Sequence, residues 1–383
     1  MPIWDVAIVG AGMAGASLAW ELAGAGVPVL LLERESQPGT HSTGRSAALF
    51  IETYGTEAIR ALTRASRSFY ETPPAGFADA PILTPRGVAY VATHEELPEL
   101  AALQAELRPH SPDLQTLDHE ALLGHLPCLR PEAVARGLLD PGAADIDVHT
   151  LHQGYLRGLR QRGGTLRCDS EVLGLRREGD RWLLQLPGDE TLAAGRVVNA
   201  AGAWADVLAR RAGAAPVGLV PKRRTAFTFP VPEGMDAARW PAAIGVAENW
   251  YFKPDAGQLL GSPANADPVE PHDVMAEELD VAIAIAHIEA VSRLTIRRPT
   301  HTWAGLRSFV ADGEFVIGRD DAVQGFFWLA AQGGYGIQSA SGYALLARNL
   351  LLGEALDERL RAEGITPALA ARLAPGRLRA VQR

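Results

Sequence analysis

The run Asp5-Val6-Ala7-Ile8-Val9-Gly10-Ala11-Gly12-Met13-Ala14-Gly15 decides how the chain folds. Asp5 to Val9 reads as a short apolar strand and Gly10 to Gly15, with Ala14 inside it, as a glycine turn. Ala16 to Ala25 reads as a helix, and Val27 to Leu32 as a second buried strand ending at Glu33. Gly10 and Gly12 stand where strand becomes helix, the place at which a pyrophosphate must approach backbone more closely than a Cβ allows. Gly15 lets the helix pack tightly on the sheet. The helix N-terminus meets phosphate charge with free N–H groups and the positive end of its dipole. Glu33 follows at the distance expected of a carboxylate that accepts from ribose hydroxyls. A glycine pattern alone suits any tight turn, but with strand, helix, second strand and acid in register it predicts a dinucleotide site.

At 383 residues the chain suits two lobes and a large core. A formal charge of -9 with no basic stripe argues against a nucleic-acid partner. Only Lys222 and Lys253 among the 36 basic residues are lysine, so an arginine by itself says little. Cys128 and Cys168 lie in unrelated contexts, which predicts neither a disulfide framework nor a metal site and fits a reducing compartment. The chain enters its first strand without a basic leader, and no apolar run approaches eighteen residues. The expectation is a cytoplasmic protein without a transmembrane segment.

Further along, His41-Ser42-Thr43-Gly44-Arg45-Ser46-Ala47-Ala48 is dominated by small and hydroxylated residues. Backbone lying against a flat ligand needs that composition, and a solvated loop before a helix shares it. Helices are expected over 58–69, 95–107, 119–126, 148–161 and 274–292. Strands are expected within 81–93 and over 171–177, 181–186, 196–200, 225–229, 243–246, 250–253 and 326–331. Asn199 to Ala205 is a small-residue turn, fitted either to close cofactor approach or to tight strand-to-helix packing. Trp250 and Tyr251 are strand neighbours and face opposite ways, so one lines a cavity while the other packs. Gln332-Gly333-Gly334-Tyr335-Gly336-Ile337-Gln338 reads as a second glycine turn at the N-terminus of a helix running to Leu352, an anion site in the making.

Taken together, Gly10 to Gly15, Glu33-Arg34, the His41 to Ala48 run, Pro221-Lys222-Arg223-Arg224, Lys253 to Gly257, Thr302 to Gly313 and Gln332 to Gln338 resemble the FAD-dependent D-amino acid oxidase superfamily. Within it the chain looks most like the D-arginine dehydrogenases. The resemblance covers nearly the whole chain. It implies an α/β fold: a Rossmann-type, glutathione-reductase-like FAD domain over 1–80, 142–217 and 303–383, with a mixed-sheet α+β substrate domain over 81–141 and 218–302. It also implies non-covalent FAD and oxidation of a D-amino acid, by hydride transfer to flavin N5, to an imino acid that water converts to a 2-oxo acid and ammonia. Electrons then pass to a quinone or other carrier, or to oxygen.

By position, the resemblance implies that Arg223 and Arg307 bind the substrate carboxylate, that Tyr54 and Tyr251 overlie the active site, and that Gly334 offers backbone near the substrate amine. It assigns FAD contacts to Gly10, Gly12, Ala14, Gly15, Glu33, Arg34, His41, Ser42, Thr43, Arg45, Ser46, Ala47 and Ala48. Further contacts fall on Val172, Ala201, Gly202, Trp204, Gly333, Gly334, Tyr335, Gly336, Ile337 and Gln338. Arginine suits a carboxylate because its planar fork fixes orientation as well as charge. Two departures matter. The D-arginine dehydrogenases carry a glutamate where this chain has Gly87 of Arg86-Gly87-Val88, and a histidine where it has Leu49. A pocket without that anion is expected to favour apolar or neutral side chains over cationic ones. A secondary amine such as sarcosine or proline, a 2-hydroxy acid, or a non-catalytic flavin scaffold are the other readings.

Overall fold

A computed structural model describes residues 3–379. Two sheets carry the architecture. In the first, Ile3–Val9 pairs in parallel with Val29–Leu32 on one side and Thr191–Asn199 on the other. Val29–Leu32 passes on to Thr165–Arg167, and Thr191–Asn199 to Phe326–Ala330. An antiparallel hairpin, Gly174–Glu178 with Arg181–Gln185, extends the far edge.

Alternation along the strands divides the apolar residues between two cores. Val6, Ile8, Val29 and Leu31 pack under helices Met13–Gly24, Val148–Gln161 and Ala340–Leu352. Ala7, Leu30 and Leu32 pack on the opposite face with Leu208 and Ala209 of the short helix Ala205–Arg211. Parallel strands sandwiched this way bring their C-terminal ends, and so the Gly10 turn and the turn after Asn199, to one edge.

The second sheet is organised on Val220–Pro230. It pairs along nearly its whole length with His301–Phe309 on one side, and with Gln258–Ser262 and Asp267–Pro268 on the other. Tyr251–Asp255, Ala242–Gly245, Val88–Ala92, Arg136–Asp140 and Gln115–Leu117 complete it. Helix Glu278–Val291 covers the face carrying Phe227, Phe229 and Phe252. His301–Phe309 runs unbroken through residues 302 and 303, where the sequence suggested a boundary.

The second glycine turn is found as expected, with Gly333 to Gly336 in the turn and the helix following from Ala340 to Leu352. Other expected elements differ. The strand expected from residue 171 starts at Gly174, leaving Val172 in a loop. Helix 274–292 is shortened to Glu278–Val291. The helix expected over 148–161 is found as Val148–Gln161, capped by Asp147, whose carboxylate accepts from Thr150 N at 2.8 Å.

Candidate active site

One elongated cavity runs between the sheets, walled by the Gly10 turn, the 39–47 loop, the 170–172 loop, the 200–204 turn, the strand segment 305–308 and the 332–337 turn. At its first end, the turn has no room for side chains. A Cβ on Gly10, whose φ is 106°, would lie 2.4 Å from Ala200 O, and one on Gly15 would lie 1.9 Å from Gly10 O. Glu33, nearly buried, accepts from Ala11 N at 2.9 Å and Glu35 N at 3.0 Å, one bond to each carboxylate oxygen. Both oxygens keep a lone pair for hydroxyl donors. Thr43 Oγ1 accepts from Met13 N at 2.9 Å, and His152 Nε2 donates to Ala11 O at 2.9 Å, so the turn is held from both sides.

Beside it, the Arg34 guanidinium lies 3.9 Å over the Trp204 ring, and His41 packs on the same ring at 4.8 Å. His41 Nε2 is 2.9 Å from Glu35 Oε1, and that hydrogen bond, ahead of Arg34, holds the Glu35 carboxyl below its ordinary range. Ser42 donates to Leu306 O at 2.6 Å. Arg45 donates to Thr40 O, Val274 O and Ala304 O, tying the loop to the second sheet.

At the other end two guanidinium groups face the cavity, on Arg224 and Arg307. Arg224 stands opposite Gly305 and Lys222 opposite Arg307, so strand alternation puts Lys222, Arg224 and Arg307 on one face of the sheet. Burial, and then the Arg307 charge, pull the Arg224 pKa down to about 10. Among the described residues neither arginine has a carboxylate within salt-bridge distance. Arg224 Nε donates to a carbonyl, Asn265 O, at 2.5 Å. Tyr251 lines the same end, while Trp250 turns away to pack on Phe252. Gly334 gives Arg307 its room, since a Cβ there would come 3.0 Å from Nη1.

Most residues expected at the site line this cavity: Gly10, Gly12, Ala14, Glu33, Arg34, His41, Ser42, Thr43, Arg45, Ser46, Ala47, Val172, Ala201, Gly202, Trp204, Tyr251, Arg307, Gly333, Gly334, Gly336 and Ile337. Six do not. The important correction is Arg223, which points to the far face of the sheet and is ion-paired with Asp267, Glu277 and Asp280. Adjacent strand residues face opposite ways, so the cavity position belongs to Arg224. Gly15 acts through packing, and Ala48, with φ 55°, follows the lining residues without joining them. Gln338 is consumed by Ile51 O and Thr63 Oγ1. Tyr54 and Tyr335 pack on each other at 4.8 Å just behind the lining, within electrostatic reach of Arg224 and Arg307 respectively, and burial raises the Tyr335 pKa.

Besides Arg224, sequence reading missed Gln332 and Tyr343. Gln332 Nε2 and the Tyr343 hydroxyl are buried at the cavity wall with no hydrogen-bond partner among the described residues. Such atoms are costly unless a ligand satisfies them. Together with the glycine cradle and the free lone pairs of Glu33, they fit a long ligand with phosphates, ribose and a polar ring system. No cluster of metal-ligating side chains occurs among the described residues, and no helix among them is long and apolar enough to cross a membrane.

Comparison with known proteins agrees with this geometry. The DAO family of FAD-dependent oxidoreductases matches residues 5–350. Glycine oxidase of Pseudomonas aeruginosa is 26% identical over 336 residues, 85% of this chain and 88% of that protein. Mitochondrial dimethylglycine dehydrogenase of Rattus norvegicus is 24% identical over 267 residues, 68% of this chain; the match spans only 30% of that longer protein. The crystal structure of glycine oxidase from Geobacillus kaustophilus superposes with a TM-score of 0.82 at 22% identity, covering 96% of this chain and 99% of that one. The chain belongs to the DAO family of FAD-dependent oxidoreductases, with FAD as its cofactor.

Proposed function

We propose that the chain oxidises D-amino acids, with Arg224 and Arg307 gripping the substrate carboxylate. The supporting observation is the pair itself: two adjacent guanidinium groups on one sheet face, turned into the cofactor cavity with no carboxylate within salt-bridge distance among the described residues. Leaving such charges uncompensated is costly, so an anionic substrate group is their natural partner. Bound FAD supplies a two-electron acceptor for the hydride on Cα. The arginines fix the carboxylate, Tyr251 closes one side, and Gly334 leaves backbone within reach of the amine. With its amine neutral, the amino acid gives up the Cα hydride to leave an iminium, which loses a proton to become the imino acid that water converts to a 2-oxo acid and ammonia. The rate is expected to rise with pH as the bound amine deprotonates.

Beside Tyr251 the cavity is lined by Ala47 and Ala226, with Ile244 and Leu260 packed behind them, which supports a preference for apolar or neutral side chains. Glu248, whose field reaches Arg224, stands exposed on a hairpin tip, where solvent screens it too well to replace a carboxylate inside the pocket. Glycine or an N-methylated glycine is the second reading, favoured by the glycine oxidase and dimethylglycine dehydrogenase likenesses. Anaerobic flavin bleaching decides. D-Leucine, D-methionine and D-phenylalanine are expected to bleach the flavin faster than D-arginine and D-lysine, with L-enantiomers inert. Bleaching by glycine or sarcosine but by no D-amino acid would sink the proposal. Readmitting air then separates an oxidase from a dehydrogenase that needs a quinone or other carrier.

A further inference from the structure

Behind the arginine pair lies a network on the outer face of the second sheet. Asn265, in the connection between Gln258–Ser262 and Asp267–Pro268, presents its main-chain carbonyl to Arg224 Nε at 2.5 Å. Its side chain is saturated. Oδ1 accepts from Thr225 N at 2.9 Å, while Nδ2 donates to Asp267 Oδ2 at 2.7 Å and Asp280 Oδ2 at 3.0 Å. A flipped amide would set oxygen against two carboxylates, so the partners fix the orientation. Asp280 is buried and also receives Thr225 Oγ1 at 2.7 Å and Arg223 Nε at 3.0 Å. The backbone is held too: Ser262 Oγ donates to Thr225 O at 2.6 Å and accepts from Ala264 N, and Ala264 is left-handed with φ 52°.

We propose that Asn265 is a positioning residue for Arg224, its side chain pinning the connection so that its carbonyl grips Nε and aims the guanidinium's Nη groups into the cavity. The inference rests on the proposed carboxylate-binding role of Arg224 and names the machinery behind it. The choice of acceptor is the physical point. A carbonyl orients the guanidinium without neutralising it, whereas a carboxylate at the same place would compete with the substrate. Arg223, one residue away on the other face, is the arginine with which Asp267, Glu277 and Asp280 pair, so those carboxylates are engaged away from Arg224.

The test is binding of a simple carboxylate, benzoate, to the FAD-loaded enzyme, followed by perturbation of the flavin spectrum, alongside turnover. Asn265→Ala is expected to weaken benzoate binding and raise KM about tenfold, with FAD content retained and kcat changed much less. Because Asn265 acts through Nε, which lysine lacks, adding Asn265→Ala to Arg224→Lys is expected to cost no more than Arg224→Lys alone. Full additivity in that cycle, or benzoate affinity within twofold of the parent in Asn265→Ala, overturns the inference. If Asn265→Ala does not fold, Asn265→Asp replaces it in the same cycle. Its carboxylate repels Asp267 and Asp280 at neutral pH and regains a donor on protonation, so benzoate affinity relative to the parent should recover on acidification; a pH-independent ratio overturns the inference. Arg224→Leu separates the two levels: if it leaves benzoate binding intact, the carboxylate reading itself fails, and if it abolishes binding while Asn265→Ala does not weaken it, only the positioning role fails.

Discussion

Arg224 and Arg307 store a cost that the empty enzyme bears and an anion relieves. Their mutual repulsion in a poorly solvated setting contributes to the depressed Arg224 pKa. Arg307 donates to no side chain or carbonyl among the described residues, so its replacement orphans little. Arg307→Met is therefore expected to stabilise the ligand-free holoenzyme by ~1 kcal/mol in chemical denaturation, a trade of stability for function. The same substitution should lower kcat/KM by about 100-fold or more through loss of the proposed carboxylate clamp. A destabilised variant would show that the pair is compensated in some other way. The residue scale is also where the sequence misled. The run Lys222-Arg223-Arg224 offers three cations in succession, and composition cannot choose among them. Strand alternation together with register against Arg307 does choose, but the register is a long-range fact, set by pairing with residues some eighty positions away.

Elements were more legible where local and tertiary demands coincide. The first strand, turn and helix were readable because Gly15 is dictated by a contact within the unit itself, with Gly10 O, although Gly10 answers to a distant one, with Ala200 O. Helix Val148–Gln161 carries both a cap and an apolar face. The second glycine turn was legible too, as glycines preceding an apolar run, and the helix after it begins at Ala340. The glycines also make a graded prediction. Gly15→Ala drives a Cβ into Gly10 O and should destabilise the fold by about 3 kcal/mol or more. Gly12→Ala meets only the Thr43 hydroxyl at 3.2 Å, so its melting temperature should hold while FAD affinity falls. Thermal melts with and without added FAD distinguish the two. His152 ties another element to this turn. Burial holds its pKa below the ordinary value of about 6.5, so on acidification the unfolded chain takes up a proton that the folded one refuses. Stability from this group is complete above that pH and declines as pH falls toward the folded pKa. Melting temperature and FAD retention should fall together in that window, and His152→Gln should flatten both.

At the scale of the whole molecule, the cofactor cavity is a seam between two sheets, and what closes it is a stretch from the second one. Val274 packs with Ala203, Ala304 and Leu306 against Trp204, laying residues 269–276 along the wall that Trp204 presents to the cavity. Arg45 is the fastening: it donates to Val274 O at 2.9 Å, Ala304 O at 3.2 Å and Thr40 O at 3.1 Å, and reaches Asp273 Oδ1 at 2.5 Å. These bonds differ in worth. Asp273 is largely exposed, so its ion pair is screened and contributes little, although Arg45 does hold its carboxyl below the ordinary range. The carbonyls are the stronger claim, because losing their common donor leaves two part-buried acceptors across the seam, Val274 O and Ala304 O, unsatisfied, while Thr40 O is exposed. Arg45→Leu is therefore expected to speed FAD release about 10-fold or more, while Asp273→Asn changes it less than about twofold. Release is followed by flavin fluorescence after dilution, at low and high salt. The parent rate should be nearly independent of salt if the carbonyls dominate, and equal acceleration by the two substitutions would assign the closure to the ion pair instead.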